Sequence, residues 1–487
     1  MLTLLLLHTH SAPALSDQPQ RVVPAGEILE RIERGLAVNY SDVIVEGDLD
    51  LSELSLHTEN VERSVYDIKF FELPETVKAV ESPIRIADSV IRGEVDFQDA
   101  VFKRSIDLDG TEFQGDVHFE YSQFRKYAYF SAARFKGDAY FWDAQFNADA
   151  YFTNVAFNGY ASFFRTRFNQ PAYFSNARFS QDAYFGYARF EKNAYFGSSR
   201  FSGCSDFREA SFAANSYFTS SRFSQSAYFW NAIFKGPTFF WKACFDGYAD
   251  FGGAQFTEAV DFGQGKFRGP AEFKQVLMEK EASFDKAAFE QDLNLENSKI
   301  YSIRFNAILG NNTTLNLKDS DINRMLVSWE AIDEHLVYHG SSYLMLIRNF
   351  RGLEQYADAD DCYYRYKREK QARQSDLLSK SFDVVAWLSC GYGVRPMYTL
   401  FWSLFSIIFF GLAYWTGNAV RMNVAASGED DISLEDAIYF SALIFVTHPP
   451  SIDRPVGRWR YLVLIEDVVG CLLLALFLVT LGNVMIR

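Results

Sequence analysis

The chain has 487 residues and a net charge of −15, long enough for two or three domains and too acidic for nucleic acid to be its main partner. Its five cysteines (Cys204, Cys244, Cys362, Cys390, Cys471) are scattered without a CxxC pair, which excludes a disulfide framework and suits thiols in a reducing compartment. The outlier is 48 Phe, far more than an ordinary core needs of one side chain, so a repeat is expected.

The chain opens on "MLTLLLLHTHSAPALS". Its apolar run, Leu2 to Leu7, is short and has no Lys or Arg before it, so residues 1–41 are expected to be an N-terminal extension rather than a signal peptide. "VIVEGDLDLSELSL" (Val43 to Leu56) reads as a first coil of the repeat, interrupted by an insertion before Ile86.

Beyond it, Phe recurs at alternating steps of five and six. One phase contains Phe130, Phe141, Phe152, Phe174 and Phe185; the other contains Phe135, Phe146, Phe157, Phe179 and Phe190. Two positions before most of them stands a small residue, such as Ala128, Ala133, Ala139, Ala172 or Ala183. Side chains at i−2 and i share one face of an extended segment, and the neighbours are polar or are Tyr and Trp. Each unit is therefore a short strand and a turn that cannot bury its face alone, and the units must stack into a solenoid. The helical rule of i, i+3, i+4 is not kept.

The units "AYFSN" and "ARFSQ" resemble the Phe-centred pentapeptide-repeat family, over roughly residues 42 to 305. The resemblance implies a right-handed quadrilateral β-helix with Phe stacked inside, and residues 42–308 are expected to form it in about ten coils. A coil of 22 residues exceeds four pentapeptides, so some corners must carry an extra residue. Some members of that family mimic duplex DNA, which needs a strongly acidic rod. Here acids and bases nearly balance between Phe97 and Leu295, so a rigid spacer or a surface for a cytoplasmic protein partner is the better expectation.

After Ile308 the rhythm stops, and "GNNTTLNLKDSD" reads as a polar connector. Residues 309–380 are expected to hold this linker and a helical hairpin that breaks near Gly352 and ends in basic residues (Lys367, Arg368, Lys370, Arg373). His335 and His339 stand four apart, a spacing zinc can use, but no third ligand lies near, so no metal is expected. Gly391-Tyr392-Gly393 precedes an apolar segment, and its glycines are expected to turn the chain from an interfacial helix into that segment.

Residues 381–487 read as a membrane domain. "MYTLFWSLFSIIFFGLAYWT" (397–416) and "YLVLIEDVVGCLLLALFLVTL" (461–481) are long enough to cross a bilayer. Between them, Ser433 and Asp436 make a capping-box-like start for an apolar helix over 434–447, too short to span and expected to be re-entrant. The stretch from Ala437 to Arg487 resembles the pore module of two-transmembrane potassium channels. Thr447, His448, Pro449, Pro450 and Ser451 stand where that family places its filter, and Pro455 and Gly457 match its trailing proline and glycine. Proline fixes φ near −65° and restrains the residue before it, so these residues cannot form a ladder of ion-stripping carbonyls. Glu466 and Asp467 lie inside the second span, where an acid marks a pathway or a buried bond. Gly470 is either a hinge or a close contact between helices.

No nucleophile–base pair or phosphate loop is legible, so neither an enzyme nor a cofactor is expected. The leading expectation is a homotetrameric, poorly selective pore for inorganic cations in the lipid bilayer of the inner membrane. The split of basic residues places both termini and the β-helix in the cytoplasm. The alternative is a non-conducting membrane-anchored scaffold whose rod binds a partner.

Overall fold

A computed structural model describes residues 20–61, 74–417, 419–421, 432–447, 454–455 and 459–485. The chain divides into two compact units, Met1–Val337 and Tyr338–Arg487.

The first unit is a β-solenoid of about 13 turns, its strands collected in sheets of 13, 23 and 12 strands. Through the Phe-bearing coils partners lie 22 residues apart and run parallel, as in Phe113↔Phe135, Phe124↔Phe146 and Ala128↔Ala150. At the ~4.8 Å strand spacing the stack is roughly 55–60 Å long. Four Phe side chains per coil point inward and stack on their counterparts in the next coil. Phe124 and Phe146 lie 4.5 Å apart with planes 1° apart, and Phe152 and Phe174 lie 4.7 Å apart at 0°. Rings of different stacks meet edge to face, as Phe141 and Phe152 do at 5.5 Å and 87°. Ala128, Ala139, Ala172 and Ala183 are fully buried beside them. At two places where Ser or Thr stands instead, the hydroxyl is spent on a carbonyl: Thr166 Oγ1 donates to Phe141 O, and Ser199 Oγ to Phe174 O, each at 2.6 Å.

The alternation of five and six residues is visible as two kinds of corner. At the shorter one, Ala133 N–H donates to Phe130 O at 3.2 Å and Ala132 sits in the left-handed region at φ 57°, the signature of a type II turn. The same conformation returns every eleven residues, at Asp143, Asn154, Arg165 and Asn176. At the longer corner an Asp bridges coils: Asp138 N–H donates to Asp116 Oδ1 at 2.8 Å, and Tyr160 N–H to Asp138 Oδ1 at 2.7 Å.

The solenoid reaches beyond the expected 42–308 interval at both ends. Arg21–Pro24 pairs in parallel with Val43–Glu46, and α1 (Ala25–Glu33) buries Ile28 and Ile32. At the other end the expected polar connector is wound into further strands, Leu315–Asn316 and Asp321–Leu326, with Leu315 and Leu317 buried. The inward positions there are Val23, Leu315 and Leu317, so the coils continue where the Phe rhythm is absent. The expected insertion includes an antiparallel hairpin, Thr58–Asn60 against Thr76–Val80.

The second unit is helical. It runs through α2 (Gly340–Gly352), α3 (Tyr356–Arg373), α4 (Leu377–Cys390), α5 (Pro396–Thr416), α6 (Leu434–Thr447) and α7 (Trp459–Met485). The hairpin of α2 and α3 breaks at Gly352 as the sequence suggests. Asp376 caps α4, accepting from Ser379 N–H at 3.1 Å and from its hydroxyl at 2.5 Å, and the hydroxyl bond first of all holds its carboxyl below the usual range. Gly391-Tyr392-Gly393 is the turn between α4 and α5, with all three residues at positive φ (55°, 59° and 83°). A side chain at Gly391 would put its Cβ 2.6 Å from Arg395 Cβ. Two helices, Pro396–Thr416 and Trp459–Asn483, are long and apolar enough to cross a membrane.

Candidate functional site

A buried polar cluster of the second unit lies where α5, α6 and α7 meet. Ser433 starts α6. Its Oγ accepts from Asp436 N–H at 3.1 Å and donates to Asp436 Oδ2 at 2.5 Å, and Asp436 adds a negative charge to the first turn. From there Ala437, Phe440, Ser441, Ile444 and Phe445 are buried, the i, i+3, i+4, i+7, i+8 face of an amphipathic helix. Fourteen residues make about 21 Å of helix, well short of the hydrocarbon thickness.

This face packs against both long helices through two glycines. A Cβ on Gly411 would lie 3.0 Å from Ile438 Cα, and one on Gly470 would lie 2.7 Å from Phe445 O. Gly470 is thus a close contact between α6 and α7. Phe410, Tyr414, Ala437, Phe440, Ile444 and Val463 belong to one apolar cluster of the three helices, with Tyr414 and Phe440 edge to face at 5.6 Å.

Glu466 lies within this cluster with no exposed surface. Tyr414 Oη donates to its Oε2 at 2.6 Å, and Ser441 Oγ bonds its Oε1 while lying 2.9 Å from Ile407 O. One carboxyl therefore ties α7 to α5 and to α6. Among the described residues no Lys or Arg pairs with it, and Arg460 is exposed. The bonds of Glu466 are to one hydroxyl of α5 and one of α6. Asp467 is half-buried beside it.

Thr447 closes α6, but its side chain and His448, Pro449, Pro450 and Ser451 lie outside the described residues. Val420–Arg421 pairs antiparallel with Arg454–Pro455 and joins the two ends of the connection between α5 and α7. Sequence reasoning missed Tyr414, Ser441 and Gly411. Their signal was a hydroxyl or a glycine inside an apolar run, of the kind a buried acid or a close helix contact requires. In the other unit His335 is within 2.9 Å of Thr313 O through Nδ1, and His339 precedes the first residue of α2 in the second.

A family profile described as pentapeptide repeats, nine copies, matches residues 108–156, 119–167, 163–205, 196–244 and 251–299. Within those residues the stack is built of pentapeptide repeats. Comparison with curated proteins and with solved structures gives no match. The repeats explain the Phe stacks and corners of the solenoid; the junction of α5, α6 and α7 lies outside the matched residues.

Proposed function

We propose that the chain is a membrane protein whose α5 and α7 cross the bilayer and whose α6 is a re-entrant helix, several copies together forming a poorly selective pathway for inorganic cations. The observation that carries this reading is α6 itself, an apolar helix too short to span yet packed against both long helices. Non-helical backbone at membrane depth is tolerated where protein or water covers it, and a ring of copies supplies that cover. Four copies would complete the pore, with 447–451 at its mouth and the C-terminal dipole of α6 favouring a cation there. Pro449 and Pro450 make strong potassium selectivity unattainable. The pentapeptide-repeat rod, read as a right-handed quadrilateral β-helix, lies with both termini in the cytoplasm of an inner-membrane protein.

The test is cation flux into liposomes carrying the purified protein, with native mass measurement of the assembly. The expected result is a tetramer that passes sodium and potassium at comparable rates; a strong preference for potassium contradicts it. A second reading, a non-conducting anchor whose rod binds a partner protein, is favoured by the burial of Glu466 within one chain's own helices. Silence of correctly assembled tetramers selects that reading.

A further inference from the structure

The solenoid carries a second feature that its stacking does not require. Where the hairpin of the insertion lies against the early coils, two basic doublets stand one coil apart, Lys103-Arg104 and Arg125-Lys126. Strand register places them: Phe102 pairs with Phe124 on one side and with Val80 on the other. Glu81, Lys103, Arg125 and Asn147 therefore form one column, and Arg104 and Lys126 stand side by side in the next. In the coils that follow, the same two positions hold Asn147-Ala148 and Asn169-Gln170, so the doublets are confined to this place.

Like charges one strand apart repel, and the hairpin answers part of that repulsion. Lys103 Nζ lies 2.7 Å from Glu81 Oε1 and 3.2 Å from Glu59 Oε2, and Arg125 also pairs with Glu59. Among the described residues two carboxylates thus face four cations. Neither Arg104 nor Lys126 forms a salt bridge among those residues, although the Glu81 carboxylate feels the Arg104 charge, so the cations exceed the acids by two on a chain of net charge −15. Glu81, Lys103, Arg104, Arg125, Lys126 and Asn147 line a cleft of about 510 Å³, which is polar in character. Glu59 holds Lys103 and Arg125 in place, so the donors are set before any ligand arrives.

We propose that this cleft is an anion site for a phosphate group carrying two negative charges. The guanidinium forks of Arg104 and Arg125 suit a tetrahedral oxyanion, the ammonium groups of Lys103 and Lys126 act as point charges, and the Asn147 amide supplies a neutral donor. The site is independent of any conduction by the membrane helices.

The test is isothermal titration of the full-length protein in neutral detergent with inorganic phosphate as probe. The expected result is saturable binding that weakens as salt is raised and falls about tenfold or more in the double variant Arg104→Gln/Lys126→Gln. A control, Arg178→Gln/Arg200→Gln, removes two exposed guanidiniums elsewhere on the solenoid and should bind like the parent. Nanodiscs of phosphatidylcholine with and without phosphatidic acid separate the sources of phosphate. Competition by the acidic lipid assigns a headgroup, and its failure assigns a free solute. The proposal is overturned if the parent does not bind phosphate, or if both double variants bind equally.

Discussion

In the solenoid, Phe174 touches Phe152 one coil before it and Phe196 one coil after it, at 4.7 and 4.9 Å, and the coils on either side repeat the contact. In the helical unit, Glu466 meets one hydroxyl from α5 and one from α6, and nothing repeats. The first arrangement spreads stability over many equivalent contacts, each worth about 0.5–1.5 kcal/mol beyond simple burial. The second concentrates it at a junction where losing one partner leaves others unsatisfied. Damage to the solenoid should therefore stay local to neighbouring coils, whereas damage to the junction should loosen three helices at once.

The largest effect tests the repeating side. Phe174→Ala removes a fully buried ring and should cost about 3–5 kcal/mol. Hydrogen exchange should rise in the adjoining coils and stay unchanged at the ends of the stack; an even rise throughout would remove the contrast. Glu466→Ala tests the concentrated side. It should cost about 1–3 kcal/mol for each hydroxyl left unpaired, read as a lower melting temperature in detergent, whereas Glu466→Gln, which can still accept from Tyr414 and donate to Ser441, should lose far less. Gly470→Val drives a side chain into Phe445 O and should cost about 1–3 kcal/mol by the same melt. Unchanged stability would restore the hinge reading of that glycine.

Two smaller effects sharpen the picture of the corners. Ala132→Gly relieves a left-handed alanine and should stabilise the stack by up to about 1 kcal/mol in chemical unfolding. Burial pushes the Asp109 carboxyl up from 3.8 to about 6, although Ser131 N–H donates to it. Its folded value lies above its unfolded one, so the native state binds more protons between pH 4 and 6 and stability falls as pH rises through that window. Asp109→Asn should flatten this slope in unfolding curves taken from pH 4 to 7.

The Phe period was legible because a strict repeat forces one residue type into one environment many times over. The coils built on Val23, Leu315 and Leu317 were not, because aliphatic side chains fill the inward positions without keeping the rhythm, and a polar segment such as "GNNTTLNLKDSD" still pairs its backbone. The order of long apolar helix, short helix and long apolar helix could be read from lengths of apolar sequence and from the Ser433–Asp436 start. The partners of Glu466 could not, since 52 residues separate it from Tyr414 and only packing brings them together. Glu59 and Arg125, 66 residues apart, escaped for the same reason.

The alternating corners also limit how such a rod can change length. Since pairing repeats every 22 residues and the left-handed corner every eleven, adding or removing 22 residues restores every column of the surface. A change of eleven keeps the Phe stacks supplied but turns all later coils by half a revolution, exchanging opposite faces. Other lengths need an irregular coil, as where Ala288 pairs with Ile308 only 20 residues on. The solenoid is therefore a ruler with discrete markings, and its growth by duplication would be constrained to whole coils wherever a surface such as the cleft at Arg104 and Lys126 has to keep its orientation.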